Sequence, residues 1–593
     1  MAAELSALVL YGLQKEVISI MKNTGKYIAL TAIPLAALIA LMCYYASDIP
    51  YGDEWIVASL LKKYHAGTLT FRDLFAQHNE HRILTGKIIM LCNAIFFGWN
   101  MYFELALNVL FAAGSSIIIY CALEKSSLPS SKKMLLYFTC ACVIFSFSQQ
   151  HNLMWGFQVI TFLSICLNLS AVYLLTWGGS ASILIAIIAG FLSTYSFANS
   201  MMIWPAGLCA ILLRSYVHDS KISYRKIFLW LVSGSICIGL YFTGYDSSLA
   251  AEKISLSSRI ISALSRPHLF ALLFVTWLGA PLASYRQSLA VAAGLAGLAV
   301  NMYCFAYILR TKLKDHSLPF WLGADVYILL CSAVTAFGRQ GTVSTAMALR
   351  YMSINMLFWV ITPCLMFVTL DNKHTLNLKH YMLVCALIIS HSVSEHALIQ
   401  ACERYNSLNL VSRQFKAGIY DSAAVRSAIW DRQDDLLLPQ LKEWGVKFLA
   451  NGPDSVDLGG FAKTDFPLDG ISQSEGTFYG IDGMSFSAGG FLNTSGWWKI
   501  DGLTSQAKHH SNTYIILHDG TSAYSALLDP AQKPQSFRAV RDSDIFSRWD
   551  KYFWAGSIYC GDVPHGTYHV LLKVIAPDGK TYYFPHNEPV SFE

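Results

Sequence analysis

The sequence predicts a polytopic α-helical membrane protein with an all-β domain at its C-terminal end. Of its 593 residues, 54% are hydrophobic and only 14% are charged, whereas soluble proteins carry about 25% charged residues. Apolar runs near the length of about 20 residues that a span requires recur up to residue 400. Beyond that point, short β-rich runs alternate with turn signals.

Four segments follow from this change of composition. Residues 1–26 are predicted to be an amphipathic cytoplasmic segment, since their lysines favour the inner face. Residues 27–400 are predicted to be a membrane domain of about ten to twelve segments, a number left open by several short apolar runs. Residues 401–460 are predicted to be a helical connector, and residues 461–593 a β domain on the outer face, by span parity.

The first long polar interruption, residues 47–87, follows the first predicted span, Tyr27–Ala46. It is therefore predicted to be an outer loop, in the periplasm or its equivalent. Within it, Trp55–Tyr64 has the spacing of an interfacial helix. Carboxylates and histidines beside a bilayer are costly to hold unless a function uses them, so this loop is the first candidate for a functional site.

Two apolar runs between Pro267 and Arg310, Leu269–Ala283 and Leu289–Leu309, conflict with a simple topology. Both cannot cross the membrane if the basic residues from Arg310 onward lie inside. One of the two is expected to be re-entrant, and the sequence does not say which.

The β domain contains two hairpin signals, Asp519-Gly520 and Pro577-Asp578-Gly579, each between β-rich runs. Short strands with regular turns predict a sandwich or jelly roll. A disulfide between Cys402 and Cys560 is one option for the tail.

Asp53 and Glu54 are the candidate catalytic residues. A glycosyl acceptor needs a base to remove the proton of its hydroxyl group, and a carboxylate near the interface suits that role. The alternative is structural, because acidic residues also cap the start of helices.

A run of polar residues ahead of the next span forms the second candidate set: His78, Asn79, Glu80, His81 and Arg82, followed by Lys87. We expect these residues to form hydrogen bonds with sugar hydroxyls. We expect the two cations among them, Arg82 and Lys87, to pair with a lipid phosphate. No cofactor is predicted. A divalent metal held by Asp53 with His78, Glu80 and His81 is an alternative, although the spacing matches no established metal motif. The plain alternative is a solvated loop.

A third set lies in later outer loops. Arginine at an outer membrane edge opposes the usual charge bias, and a polyprenyl phosphate would give it a partner. Tryptophans there can stack on sugars, although interfacial belts are the commoner use. The candidates are Trp155, Gln158, Asn199, Trp204, Arg339, Arg350 and Tyr351.

Several function classes find no support in the sequence. No basic stripe with interleaved aromatic residues suggests nucleic acid. There is no CxxC pair, GxSxG, P-loop, dinucleotide fingerprint or HExxH. No cytoplasmic globular domain is predicted to bind a nucleotide sugar, which favours a lipid-linked donor used outside.

The motifs together resemble the GT-C integral-membrane glycosyltransferases, and more narrowly the O-antigen-modifying (Gtr-type) glucosyltransferases of bacterial and phage seroconversion systems. The resemblance covers most of residues 27–400, and the tail matches more loosely. It is carried by YGDEW (Tyr51–Trp55), QHNEHRI (Gln77–Ile83), NLMWGFQ (Asn152–Gln158), SFANSMMIWP (Ser196–Pro205), GRQG (Gly338–Gly341) and Arg350-Tyr351.

The resemblance implies a multi-pass protein of the bacterial inner membrane and an undecaprenyl-phosphate-linked hexose donor, made by a partner synthase and moved by a flippase. It implies transfer to lipid-linked O-antigen at the periplasmic face, with Asp53 as general base and Glu54 as its partner. The sugar and the linkage are not implied.

The functional hypothesis is therefore a hexosyltransferase, with glucose as the expected sugar, acting by single displacement. A polysaccharide polymerase of the O-antigen type is the first alternative, and it would depend on arginines more than on Asp53. A lipid-linked glycan transporter without catalysis is the second. An acyltransferase, which would depend on a histidine, is more remote.

Overall fold

A computed structural model gives the architecture of most of the chain. The residues it describes are 31–177, 180–218, 221–246, 256–282, 286–339, 343–371, 395–416, 428–429, 438–449, 462–464, 477–487, 491–500, 512–519, 522–528, 552–559, 563–564, 566–576 and 580–592. The predicted N-terminal segment 1–26 lies outside these ranges, as do the side chains of Cys402 and Cys560, so the disulfide stays untested.

The chain divides into two compact units, and each takes part of the first predicted outer loop. The membrane unit comprises Met1–Tyr44, Ala66–Cys92 and Phe103–Leu398. The tail unit comprises Tyr45–His65, Asn93–Tyr102 and Ile399–Glu593. Asp53 and Glu54 therefore belong to a different unit from residues 78–87, a division that differs from the predicted single loop of the membrane domain.

Sixteen helices of four or more residues are described between residues 31 and 371, apart from short 3-10 turns. They are α1 (Thr31–Tyr45), α2 (Ile56–His65), α3 (Phe71–Phe75), α4 (Leu84–Phe97), α5 (Met101–Glu124), α6 (Ser130–Ile144), α7 (Gln150–Leu153), α8 (Val159–Trp177), α9 (Ser180–Thr194), α10 (Ile203–Val217), α11 (Tyr224–Phe242), α12 (Leu256–Ser265), α13 (Pro267–Gly279), α14 (Gln287–Thr311), α15 (Leu318–Gly338) and α16 (Met352–Leu370).

Seven of these helices are long and apolar enough to cross a membrane: α5, α8, α10, α11, α14, α15 and α16. A bent pair built from α12 and α13 makes an eighth if it counts as one span, and α1, α4 and α9 are shorter apolar helices. The predicted multi-pass helical fold is confirmed.

The two apolar runs between Pro267 and Arg310 differ in the structure. The segment containing α12 and α13 bends by 93° between Ser265 and Pro267, where proline at the first position of α13 cannot continue the preceding helix. In contrast, α14 is a single helix of 25 residues. The first apolar run thus belongs to a bent pair of helices, which is either a broken span or a re-entrant loop, and the second run is a candidate span by length and composition.

In the tail unit, an aromatic cluster fixes the segment that carries Asp53 and Glu54. Trp55 is 1% exposed, and its ring meets Trp99, Phe415 and Phe448 at centroid distances of 5.5, 6.3 and 5.9 Å. Burying aromatic side chains of this size is among the largest single contributions to a core. The unit also holds α17 (Glu395–Lys416) from Ile399 onward and α18 (Leu438–Glu443).

The C-terminal domain has two antiparallel sheets, which confirms the predicted β domain. One sheet has the strand order β1-β5-β4-β7-β8 and the other β2-β3-β6. The strands are β1 (Ala462–Thr464), β2 (Thr477–Ser487), β3 (Phe491–Ile500), β4 (Asn512–His518), β5 (Ala523–Leu528), β6 (Tyr552–Tyr559), β7 (Gly566–Ile575) and β8 (Thr581–Phe592).

Side chains from both sheets share one core, as expected for a sandwich. Leu492 of β3 lies in the same buried cluster as Ile515 of β4 and Leu572 of β7. Both predicted hairpins are present: β4 pairs with β5, and β7 pairs with β8. Residues 577–579 at the tip of the second hairpin lie outside the described ranges.

Candidate functional site

A tight turn at residues 78–81 presents the second predicted set of residues. The backbone N–H of His78 donates to the carbonyl of His81 at 2.7 Å, and the return bond measures 2.9 Å. Asn79 adopts a φ of 50°, a left-handed conformation that asparagine tolerates better than most residues. Glu80 therefore stands beside it on a closed turn.

The turn is held in place by side chains from the end of α11 and the residues that follow it. The hydroxyl groups of Tyr241 and Tyr245 both donate to the Glu80 carbonyl at 3.4 Å. Burial raises the pKa of Tyr245, although Arg259 and Arg82 act in the opposite direction. A protonated hydroxyl is the form that can donate this bond. Gln77 adds a bond to the carbonyl of Asp246 at 2.9 Å.

Glu80 forms an ion pair with Arg339, the residue that follows α15. The Nε of Arg339 donates to the Tyr351 hydroxyl at 3.1 Å, and Tyr351 stands directly before α16. The side chains of Arg339 and Glu80 are 15% and 24% exposed, so the pair is open to water at one side. We call Glu80, His81, Arg339, Arg350 and Tyr351 the Glu80 site.

The remaining members of the Glu80 site include an aromatic ring, that of His81, and a second cation, Arg350. His81 stacks on Phe197 at 4.9 Å, and its Nε2 lies 3.8 Å from the Glu80 carboxylate. Arg350 is an exposed residue, and its guanidinium lies 5.2 Å from the centre of the Tyr351 ring. The same tyrosine therefore contacts both arginines. His78 lies beside Phe157 at 5.6 Å.

One further cation at this end of the bundle was not predicted. Arg259 of α12 donates a hydrogen bond to the carbonyl of Gly338, the last residue of α15. Arg259 was not singled out from the sequence. The contact depends on α12 folding back on α15, which residue spacing does not reveal.

Arg82, predicted to pair with a lipid phosphate, is bonded to backbone carbonyls. It is 4% exposed, and its three guanidinium nitrogens donate to the carbonyls of Tyr241, Phe75 and Thr243 at 2.6, 2.7 and 2.6 Å. A buried cation must have its donors satisfied, and here the backbone satisfies them.

Lys87 is also buried and bonded to backbone carbonyls. It is 1% exposed, and its Nζ donates to the carbonyls of Ala76 and Asp73 at 2.7 and 3.2 Å. We therefore leave Arg82 and Lys87 out of the proposed phosphate site.

The predicted sugar-stacking tryptophans are buried as well. Trp155 is 5% exposed and stacks on Phe157. Trp204 is 4% exposed; it donates to Thr194 Oγ1 at 3.1 Å and packs on Trp230. Neither ring offers a face to a sugar.

Gln158 and Asn199 also have partners inside the bundle. Gln158 is 4% exposed, and its Oε1 accepts a bond from Thr161 at 2.7 Å. Asn199 is 7% exposed and donates to Thr335 Oγ1 at 3.0 Å. The side chain of Asn152, in contrast, donates to the carbonyl of Arg350 at 3.3 Å and thereby supports the Glu80 site.

In the tail unit, the two predicted catalytic carboxylates differ in their surroundings. Glu54 is 1% exposed, and its Oε2 accepts a hydrogen bond from the Tyr51 backbone N–H at 2.8 Å. It therefore caps the short 3-10 helix Gly52–Trp55, which was the structural alternative. Asp53 lies in the same turn and is only half-buried.

Glu54 also faces a buried cation that the sequence did not single out. Arg404 of α17 is 8% exposed, and its guanidinium lies 4.9 Å from the centre of the Tyr51 ring. Burial lowers the pKa of Arg404, and Tyr51 and Glu54 act in the opposite direction. Glu54 thus caps the turn that carries Asp53 and interacts with a buried cation.

Among the described residues, no group of three or more His, Cys, Asp or Glu side chains has the arrangement of a metal site. His78, Glu80 and His81 come together at the turn, but through backbone bonds, stacking and an ion pair.

No protein-family model matches the chain, and no curated protein sequence matches it. Two solved structures resemble the fold weakly. The first is the archaeal oligosaccharyltransferase AglB from Archaeoglobus fulgidus, in complex with an inhibitory peptide and a dolichol-phosphate, with a TM-score of 0.37 and 12% identity. The second is an oligosaccharyltransferase from the same organism in its apo form, with a TM-score of 0.37 and 10% identity.

Each match covers 75% of this chain but only 62% of the oligosaccharyltransferase chain. Because the TM-scores and identities are low, we draw neither a family nor an activity from the likeness.

Proposed function

We propose that this protein is a glycosyltransferase of the bacterial inner membrane. It would move a hexose from a polyprenyl-phosphate donor to lipid-linked O-antigen, or a related surface polysaccharide, at the periplasmic face. The observation that carries the proposal is the Glu80 site, which gathers two arginines and a carboxylate at the ends of apolar helices α15 and α16.

Arginine is well suited to a lipid phosphate, because its planar guanidinium donates two parallel hydrogen bonds to phosphate oxygens. Arg350 is exposed, and Arg339 is oriented by Glu80 and Tyr351. In this proposal Arg350 and Arg339 bind the donor phosphate, with Arg259 as the next cation. Glu80 and His81 hydrogen-bond the sugar hydroxyls.

The chemical step is a single displacement at the anomeric carbon. The acceptor hydroxyl transfers its proton to the carboxylate of Asp53 while its oxygen bonds to the sugar. The bond between the anomeric carbon and the donor phosphate oxygen breaks, and polyprenyl phosphate leaves with the electron pair. The arginines stabilise the charge that develops on that phosphate.

The test is hexose transfer by the purified full-length protein in lipid nanodiscs. Polyprenyl-phosphate [14C]glucose would be offered with lipid-linked O-antigen units, and the product separated by thin-layer chromatography. Label appearing in the glycan, with polyprenyl phosphate released in equal amount, supports the proposal. Binding of the donor without any label transfer, under conditions in which the protein stays folded, contradicts it in favour of a transporter.

A polysaccharide polymerase is the second candidate, and the gathering of Arg259, Arg339 and Arg350 at one end of the bundle favours it. Such an enzyme joins repeat units to each other rather than adding a branch. It would lengthen the glycan in the assay without adding labelled glucose.

A further inference from the structure

A second charged cavity lies in the membrane unit, away from the Glu80 site. Its volume is about 490 Å³, and it is lined by Lys125, Thr176, Arg214, His218 and His316. We call it the basic cavity. Four of its five lining residues carry, or can carry, positive charge.

The basic cavity is at the opposite end of the helices from the Glu80 site. Arg339 follows the last residue of α15, whereas His316 stands two residues before its first. The 21 residues of α15 span about 30 Å at 1.5 Å per residue. Thr176 lies near the end of α8 and Lys125 follows α5, so several helices bring their ends to this cavity.

Two kinds of contact order the side chains of the basic cavity. His218 and His316 stack with ring centroids 4.7 Å apart, and the Lys125 ammonium lies 4.4 Å from the centre of the Tyr173 ring. The Nε of Arg214 is buried and has no hydrogen-bond partner among the described residues. A buried guanidinium N–H without a partner is costly, which points to a missing acceptor.

The balance of charge in the basic cavity is positive. Burial lowers the pKa of His218, and His316, Arg214 and Lys125 lower it further. The neighbouring carboxylate, Asp315, is 2% exposed and accepts bonds from the backbone N–H groups of Ser127 and Ser317. Asp219, the next residue after His218, lies outside the described ranges.

We infer that the basic cavity binds a phosphate group, carried either by an anionic lipid headgroup or by a small soluble phosphate. Arginine and lysine are the donors that phosphate oxygens accept most readily, a neutral histidine adds one N–H donor, and Thr176 adds a hydroxyl. The inference does not depend on the proposed transferase reaction, because it concerns the other end of the helices.

The experiment measures retention of phosphatidylglycerol against phosphatidylcholine by the full-length protein, using native mass spectrometry. Arg214→Gln removes the charge with the unpaired N–H. Arg310→Gln is the matched control, because Arg310 is exposed at the end of α14 and does not line the cavity. We expect phosphatidylglycerol binding to weaken about tenfold in Arg214→Gln and to stay unchanged in Arg310→Gln.

Competition with inorganic phosphate distinguishes a lipid headgroup from a soluble phosphate as the natural ligand. If millimolar phosphate displaces the lipid from the wild type, or binds alone in calorimetry and not to Arg214→Gln, the site takes a soluble phosphate. If it does neither while the lipid preference holds, the site takes a headgroup.

Equal phosphatidylglycerol retention by the wild type and Arg214→Gln, with no binding of inorganic phosphate, overturns the inference. An equal loss in Arg310→Gln also overturns it, since general surface charge would then explain the binding. If Arg214→Gln is misfolded by size-exclusion chromatography, His218→Gln is the substitute variant, with the same predicted direction.

Discussion

Asp53 and Glu54 are adjacent in the chain but differ in burial, and we therefore expect different roles for them. Glu54 is buried, caps the Gly52–Trp55 turn and faces buried Arg404. Asp53 keeps part of its surface open to solvent. A base must reach its substrate, whereas a capping carboxylate must reach the backbone.

Replacing Glu54 by Gln should therefore affect folding. The change removes the charge that faces Arg404 and weakens the bond to the Tyr51 N–H, and we expect a loss of about 1–3 kcal/mol of unfolding free energy. Thermal unfolding of the detergent-solubilised protein measures it. Asp53→Asn is the matched control and should leave the unfolding temperature unchanged. Equal unfolding temperatures for wild type and Glu54→Gln would show that Glu54 does not stabilise the turn.

Arg350 is the exposed cation of the Glu80 site, so its removal should weaken donor binding without unfolding the protein. We expect Arg350→Gln to raise KM for the polyprenyl-phosphate sugar about tenfold or more, since a charge-assisted hydrogen bond is worth about 1.5–3 kcal/mol. Steady-state transfer kinetics measure it, with Arg310→Gln as control. An unchanged KM in Arg350→Gln would remove this residue from the phosphate site.

At this scale the sequence identified the residue types but not their burial. Arg82 and Arg350 both stand at predicted outer edges, yet one is buried among carbonyls and the other is exposed. The carbonyls that surround Arg82 include those of Tyr241 and Thr243. Such contacts over long sequence separations decide whether a cation is structural, and local sequence carries no signal for them.

The pairing of α13 with α14 depends on two glycines. A Cβ at Gly279 would lie 1.8 Å from the carbonyl oxygen of Ala290, and one at Gly294 would lie 1.9 Å from that of Val275. Small residues let helix backbones approach closely in membranes. This close approach is what places the broken α12–α13 segment against a full span.

Gly294→Ala should separate α13 from α14, because the neighbouring atoms are backbone and cannot rotate away. We expect a lower folded yield and a lower unfolding temperature. Gly239→Ala in α11 is the control, since a Cβ there has nothing within 4 Å, and alanine favours helix by about 1 kcal/mol over glycine. If both variants unfold at the wild-type temperature, the two helices do not pack as described.

Elements were predicted better than their contacts. Hydrophobic run length predicted the helices, and Asp519-Gly520 predicted the β4–β5 hairpin, because both signals are local. The sequence left open which of the two runs after Pro267 is re-entrant, because membrane-length arguments do not distinguish a broken run from a spanning one. The structure shows a 93° bend before the first run, and the angle between two helices is a tertiary feature.

For the molecule as a whole, the division into two units runs through the first predicted outer loop. Residues 45–65 belong to the tail unit and residues 66–92 to the membrane unit. Trp55 explains the division on the tail side, since its partners Phe415 and Phe448 lie hundreds of residues later in the chain. Chain order alone predicted one loop in one domain.

The proposed reaction gives Asp53 the role of base and gives the arginines of the Glu80 site the role of phosphate ligands. Substitutions of these residues should therefore affect one activity in different ways. Loss of the base should lower kcat, whereas loss of a phosphate contact should raise KM for the donor.

The most direct measurement is the mass of the O-antigen repeat in a host that supplies a polyprenyl-phosphate sugar. Wild type, Asp53→Asn and the control Glu443→Gln, which changes an exposed carboxylate, would be expressed to equal levels. We predict one added hexose per repeat with the wild type and with Glu443→Gln, and none with Asp53→Asn. Hexose addition that survives Asp53→Asn would contradict the assignment of the base, and no added hexose with the wild type would contradict the transferase itself.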